Sequence, residues 1–352
     1  MRRALALAAH GAGHVSPNPL VGAVIADDTR IVGEGWHASL GSAHAEVVAL
    51  RAAGDAARGA TLYVTLEPCN HTGRTPPCVD AIIAAGVARV VYAIDDPNPI
   101  ANGGADRLRA AGIEVVSGVL ASDATELNQP FLFASRGAKR PWVTLKLALS
   151  LDGAVVDASR ERGWLTGPKA RKAVHVMRAS ADAIGIGIGT ALADDPMLTV
   201  RDVSAPRVPP ARVVFDRAAR LPLSSQLVAT ARQGPVMVLA TGSSTTRESA
   251  LRAAGVDVIT ASDIAAALEA LRERNIRHLL VEGGAVVASA LMVAGVVDRL
   301  IIFQAPVILG RDAVSAFGGV TPQRAGSAPR LRVLSRKAFG PDLMTVYAVS
   351  TH

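Results

Sequence analysis

Two short stretches decide how this chain is read: His44-Ala45-Glu46, and Pro68-Cys69-Asn70-His71-Thr72-Gly73-Arg74-Thr75-Pro76-Pro77-Cys78. Cys69 and Cys78 are the only cysteines in 352 residues. So few thiols argue against a disulfide-built secreted scaffold, and alone the pair reads as a surface disulfide or two idle thiols as readily as a functional pair. A lone His is more often a surface or core residue than a ligand, so His44 by itself only makes a metal site chemically admissible. Zn²⁺ favours four-coordinate N/S sites, and a catalytic zinc keeps three protein ligands and leaves the fourth position to water, so one His and two thiolates suffice. Cys78 follows Pro76-Pro77 at an expected helix start, where amide dipoles favour a thiolate. On a helix spanning Ala43–Ala57, His44 and Glu46 lie two residues apart and cannot face the same way. Glu46 is then free for proton transfer, the alternative being an ordinary exposed helix carboxylate.

Apolar runs of strand length alternate with Ala-rich stretches of helical period in both halves, the pattern of α/β folds. In the first half strands are expected at Val21–Ile25, Ile31–Trp36, Ala60–Thr65, Arg89–Ile94 and Ile113–Ser117, with helices at Ala43–Ala57, Pro76–Ala85 and Ala121–Ser135. The polar segment Arg136–Pro141 is punctuated by Gly and Pro and marks a boundary, giving two domains, 1–140 and 141–352. The second opens with a strand at Trp142–Leu149 and a helix from Pro168 to Arg178. Strands at Ala183–Ile188, Arg212–Phe215, Val236–Leu239, Val256–Ile259, His278–Val281 and Arg299–Gln304 follow, with helices at Ile264–Arg274 and Gly284–Val293. Asp202–Pro210 and Thr241–Thr246 read as surface loops.

His44-Ala45-Glu46 with Pro68-Cys69 and Cys78 resembles the signature of zinc nucleobase deaminases. The short form of that signature places two residues between the cysteines, whereas eight intervene here. The long insert, with Ser16-Pro17-Asn18-Pro19 and Asp96-Pro97-Asn98-Pro99, is similar to one family, the bifunctional deaminase-reductases of riboflavin biosynthesis. The resemblance continues through Leu145-Lys146, Ser150-Leu151-Asp152-Gly153, Leu192-Ala193-Asp194-Asp195-Pro196, Leu198-Thr199-Val200-Arg201 and Val281-Glu282-Gly283-Gly284. The short N-terminus and a loop at Ala101–Gly104, one residue shorter than usual, depart from the family pattern.

The resemblance implies an N-terminal cytidine-deaminase-like α/β/α sandwich followed by a dihydrofolate-reductase-like α/β domain. It implies that the first hydrolyses the 2-amino group of a diaminopyrimidinone carrying a phosphorylated ribosylamino group, and that the second reduces the ribosyl group to ribityl with NADPH. Zinc, one ion per chain, would sit on His44, Cys69 and Cys78, with Glu46 as the proton carrier. Asn18, His71, Arg74 and Asn98 would contact the first substrate; amides and imidazole suit a pyrimidine's donors and acceptors, and Arg74 a phosphate. In the reductase, Lys146 and Glu282 would be catalytic, and Arg162, Arg178, Leu198, Arg201 and Glu282 would contact substrate. NADPH would lie near Ala148, Trp164, Thr190, Asp194 and the run Gly284, Ala285, Val286, Val287, Ala288, Ser289 and Ala290. Arg178 also reads as a helix-face charge and Asp194 as a helix N-cap. Gly283-Gly284 falls at an expected helix start, where amides bind phosphate, but it is not G-x-G-x-x-G and argues against a standard dinucleotide fold. Gly185-x-Gly187-x-Gly189 reads as a buried strand running into a turn.

Charge separates the halves. The chain carries a net +7, yet residues 1–140 hold 12 Lys and Arg against 13 Asp and Glu, and the remainder 25 against 17. A first half without positive excess and an aromatic content of 3% speak against a polynucleotide or tRNA deaminase. The basic second half suits a dinucleotide phosphate. A deaminase with an inactive nucleotide-binding C-terminal module is the other alternative. No apolar run approaches the roughly 18 residues of a membrane span, and Met1-Arg2-Arg3 reads as the start of a short helix, not as a leader. The expectation is a cytoplasmic homo-oligomer acting on a small phosphorylated pyrimidine, with neither nucleic acid nor membrane as partner.

Overall fold

The first sheet grows from a hairpin. In the computed structural model, which describes every residue except 73–75, 160–162, 243, 322, 323, 325, 327 and 350–352, helix α1 (Arg2–Ala8) is followed by β1 (Gly22–Ala26) and β2 (Ile31–Trp36), paired antiparallel. Then come α2 (Ala45–Ala53), β3 (Thr61–Leu66), α3 (Cys78–Ala85), β4 (Arg89–Ile94), α4 (Gly104–Ala110), β5 (Glu114–Val116), α5 (Ala121–Leu127) and α6 (Gln129–Ser135). The sheet order is β2-β1-β3-β4-β5, with β3, β4 and β5 parallel. Side chains alternate across it: Ala23 and Ile25 pack with Ala49, Val79 and Ile82, whereas Val24 turns to the other face against Ala4 and Leu7 of α1. Helices therefore cover both faces. A Cβ on Gly35 would stand 2.5 Å from the Ala45 carbonyl, so this glycine is what lets α2 lie so close to β2.

The single helix expected over Ala121–Ser135 is two. Asn128 interrupts it, its amide accepting from the Leu20 N–H at 2.8 Å and donating to the Leu20 carbonyl at 3.0 Å, and Pro130 lacks the N–H that would continue the ladder.

Residues Met1–Ala138 with Pro206–Val208 make one unit, and Lys139–Ala205 with Pro209–His352 a second. Arg207 joins the first through its main-chain N–H, which donates to Gly13, and its guanidinium, which donates to the carbonyls of His14 and Ser16. The second unit runs β6 (Trp142–Leu149), β7 (Ala154–Val156), α7 (Pro168–Ala179), β8 (Ala183–Gly187), α8 (Ile188–Asp194), β9 (Ala211–Phe215), α9 (Gln226–Ala229), β10 (Val236–Ala240), α10 (Thr245–Ala253), β11 (Asp257–Thr260), α11 (Ile264–Glu273), β12 (His278–Glu282), α12 (Ala285–Val293), β13 (Arg299–Gln304), β14 (Val314–Ser315), β15 (Arg332–Phe339) and β16 (Asp342–Ala348). Its main sheet has the order β11-β10-β9-β8-β12-β6-β13-β16-β15, parallel except where β16 joins β13 and β15. Met237 and Leu239 of β10 face one core and Val236 and Val238 the other, which is why these strands read as unbroken apolar runs.

Three local readings are corrected. Gly189 lies in the first turn of α8 and not in a loop turn, and Asp194 is the last residue of that helix and not its N-cap. The polar run read as the loop Thr241–Thr246 enters α10 at Thr245.

Candidate active sites

Three elements build the first site. His44 is the N-cap of α2 with extended backbone, and Glu46 lies in the first turn. The premise that both stand on the helix is thus corrected: because His44 is outside it, both side chains reach the same cavity of about 420 Å³. Cys69 follows β3, and Cys78 is the first residue of α3, its N–H donating to Cys69 Sγ at 3.4 Å. The turn at Cys69 is pinned by Gly104, where a Cβ would fall 1.9 Å from the Pro68 carbonyl.

His44 Nδ1 lies 3.1 Å from Cys78 Sγ and 3.5 Å from Cys69 Sγ, and the three donor atoms are all within 4.8 Å of one another. Bonds of about 2.0 Å to nitrogen and 2.3 Å to sulfur in a tetrahedron separate N and S by roughly 3.5 Å. The donor set therefore fits zinc in both kind and spacing. Hydrogen bonds from Cys78 and then from His44 hold Cys69 as a thiolate, down to about 4, while that anion and burial push Cys78 the opposite way. A divalent cation resolves this conflict by accommodating both as thiolates. Burial pushes the Glu46 carboxyl above the usual range, only partly offset by His44.

Around this centre the cavity gathers Asn18, His71 and Asn98, three of the four expected substrate contacts; Arg74 lies outside the described residues. It also brings in groups the sequence did not single out: His37, Glu67 and Asp96. His37 is buried beside the metal-binding group, its ring edge-on to His44 at 5.6 Å. Its Nδ1 lies 3.2 Å from the Ala43 carbonyl, which can only accept, so Nε2 accepts from Asn18 Nδ2 at 3.1 Å. Asn18 is thereby left with its carbonyl oxygen for a ligand's N–H. Burial holds His37 below the usual imidazole range, consistent with this neutral form. Glu67 accepts from the N–H groups of Ala105 and Asp96, tying the Asp96–Asn98 loop to the start of α4. The one signal available for His37 was its place directly after an expected strand.

In the second unit Lys146 of β6 and Glu282 of β12 stand opposite each other in register, Nζ 4.0 Å from Oε2. Arg178 of α7 donates through Nε to one Glu282 oxygen and through Nη2 to the other at 3.0 Å, and through Nη1 to the Thr199 carbonyl at 3.0 Å. Arg178 is thus bound into this cluster and is not a mere helix-face charge. Burial lowers Lys146 from the usual ammonium range; the same burial pushes Glu282 up, but Arg178 and Lys146 more than offset it and hold the carboxylate low. Leu198 is buried in left-handed backbone, and the exposed Arg201 donates its N–H to His175.

Gly284 caps α12, with Thr190 Oγ1 of α8 3.1 Å from where its Cβ would be. Of the following run, Val287, Ala288 and Ser289 are buried, Ser289 accepting from the Gly319 N–H, while Val286 is exposed. What this segment offers a ligand is accordingly its first-turn amides, which have no acceptor within the helix. Ala148 sits on β6 opposite Phe303, Asp194 closes α8, and exposed Trp164 is covered by the Arg171 guanidinium at 5.1 Å. Arg162 lies outside the described residues.

Residues 1–94 match the family model described as the cytidine and deoxycytidylate deaminase zinc-binding region, and residues 141–345 match the RibD C-terminal domain. The riboflavin biosynthesis protein RibD of Aquifex aeolicus is 43% identical over 350 residues, covering 99% of this chain and 97% of that one. Its Escherichia coli counterpart is 42% identical over 358 residues, covering 97% and 96%. Among solved structures, Acinetobacter baumannii RibD superposes with a TM-score of 0.82 at 39% identity, covering 99% and 97%. A diaminohydroxyphosphoribosylaminopyrimidine deaminase/5-amino-6-(5-phosphoribosylamino)uracil reductase from Thermotoga maritima superposes with a TM-score of 0.85 at 34% identity, also covering 99% and 97%. These similarities run through both units, and neither a polynucleotide deaminase nor an inactive C-terminal module is favoured by them. The chain belongs to the RibD family of bifunctional riboflavin biosynthesis enzymes, a zinc deaminase joined to a reductase.

Proposed function

We propose that the first unit removes the 2-amino group of a diaminopyrimidinone ribosylamino phosphate and that the second reduces the ribosyl group of the product to ribityl. The observation that carries this reading is the burial of Glu46 in one cavity with His44, Cys69 and the Asn18–His37 pair. His44, Cys69 and Cys78 hold zinc, which when bound supplies a nucleophile at neutral pH by lowering the pKa of water to about 7. Glu46 accepts the proton from the attacking water and delivers it to the departing ammonia, a task suited by a carboxyl whose pKa burial raises above the usual range. Asn18, His71 and Asn98 orient the ring, and Arg74 meets the phosphate.

In the second unit bound NADPH would supply the hydride for the ribosyl carbon, and the ring oxygen released from that carbon must take a proton. Lys146, with its lowered pKa, donates that proton, and Glu282, clamped by Arg178, holds the ammonium in place. Arg162, Arg178, Leu198 and Arg201 contact the substrate. Ala148, Trp164, Thr190 and Asp194 line the cofactor, with the Gly284–Ala290 segment receiving its phosphates. Incubating the protein with the diamino substrate yields the deaminated intermediate without NADPH and the ribityl product with it, as read by mass. NADH in its place gives a lower kcat/KM, and Lys146→Met lets the intermediate accumulate even with NADPH. Absence of any deaminated product from a zinc-loaded protein overturns the proposal.

No helix among the described residues is long and apolar enough to cross a membrane. A cytoplasmic location is proposed on the two cysteines being metal ligands and not joined in a disulfide. A homo-oligomer is proposed on the edge strand β15, largely exposed along its length and open to pairing with a second copy. A monomeric mass by light scattering counts against the latter.

A further inference from the structure

The segment from Asp195 to Asp202 carries three non-glycine residues in the left-handed region, Asp195, Leu198 and Asp202. Such backbone persists only where its surroundings hold it. Helix α7 provides two of the holds, one turn apart on the same face: Arg178, donating to the Thr199 carbonyl, and His175, whose Nδ1 accepts the Arg201 N–H at 3.2 Å. Arg178 is already committed to Glu282. His175 has no place in the reduction as described above.

We infer that His175 is a positioning residue of the reductase, a neutral acceptor that fixes the Leu198–Arg201 loop and so aims the Arg201 guanidinium at the anionic end of the substrate. This rests on the reading of Arg201 as a substrate contact. The bond requires the neutral ring, since a protonated imidazole has no lone pair at Nδ1. The groups facing the ring are Arg178 on its own helix, Arg201 and Asp202 on the loop, and Glu282 on β12. Burial, then Arg178 and Arg201, lower its pKa against the opposing pull of Glu282 and Asp202. The hold is therefore in place at neutral pH and is released only as the pH falls below the usual imidazole range.

The test compares His175→Ala, His175→Asn and Arg201→Ala in the full-length, zinc-loaded enzyme, with deaminated substrate and NADPH supplied. One lost hydrogen bond corresponds to about a three- to tenfold effect. His175→Ala raises KM for the substrate by that factor, with kcat, KM for NADPH and melting temperature little changed. His175→Asn, whose amide oxygen can accept the same N–H, restores KM. Wild-type KM rises as the pH falls below the usual imidazole range, more steeply than in His175→Asn, which shares the substrate phosphate's own titration but lacks the histidine's. The inference is overturned alone if Arg201→Ala raises KM while His175→Ala does not, or if the Asn variant is as impaired as the Ala variant. If Arg201→Ala leaves KM unchanged, the reading of the loop as a substrate contact fails and takes the inference with it.

Discussion

Glu46→Gln lowers deamination by about 10²–10⁴-fold, the span that a positioned general acid-base group contributes, and leaves reduction of supplied deaminated intermediate near wild type. The substitution keeps the volume of a buried side chain and all three zinc donors, and removes only the carboxylate that must take and then return a proton. Zinc content stays the same. The melting temperature does not fall, because burial already disfavours the Glu46 charge. Steady-state rates on the two substrates, with metal analysis of the same preparation, check this. Loss of both reactions in a folded, metal-loaded variant would show that the two chemistries do not occupy separate sites.

Cys78→Ala has the larger effect on the protein itself. Cys78 is fully buried at the start of α3, and exchanging it for Ala vacates little volume, so lost packing is a small part of the outcome. The loss of metal dominates. Zinc binding in small structural sites amounts to about 10–16 kcal/mol, much of it expressed as folding free energy, and removal of one of three protein ligands leaves an exchangeable ion. Bound zinc falls from about one per chain toward zero, deamination becomes undetectable, and the first unit melts at lower temperature while reductase activity persists. Elemental analysis with calorimetry measures both. Retention of zinc at full stoichiometry would remove Cys78 from the donor set.

The donor set was legible through its resemblance to the zinc deaminase signature, and the scarcity of its residue types, one His-x-Glu and two cysteines, left few other assignments. Its geometry could not. Whether His44 lies on the helix or caps it depends on a single residue of phase, which the spacing of His44 and Glu46 leaves open. The His37–Asn18 pair joins a strand end to a loop and leaves no periodic trace. Lys146 and Glu282 belonged to quoted motifs, but their pairing follows from β12 lying beside β6, an order that no local pattern encodes. The misses in the fold have the same origin. Strand β15, Arg332-Val333-Leu334-Ser335-Arg336-Lys337-Ala338-Phe339, is exposed on both faces and shows no alternation. Helix α4 opens at Gly104, a residue that ordinarily argues against a helix. The long apolar parallel strands, buried on both sides, were the most legible elements.

The central position of β6 also bears on how the chain is made. Residues 142–149 form the first strand of the second unit to leave the ribosome, yet its two neighbours are residues 278–282 and 299–304. The deaminase sheet, by contrast, has all its strands once residue 116 has emerged. For most of the remaining synthesis an apolar strand stands with both hydrogen-bonding edges unpaired, the kind of segment that attracts chaperones and aggregates when it is left waiting. The reductase half is therefore the slower and more vulnerable one to assemble, its closure set by contacts of long sequence separation.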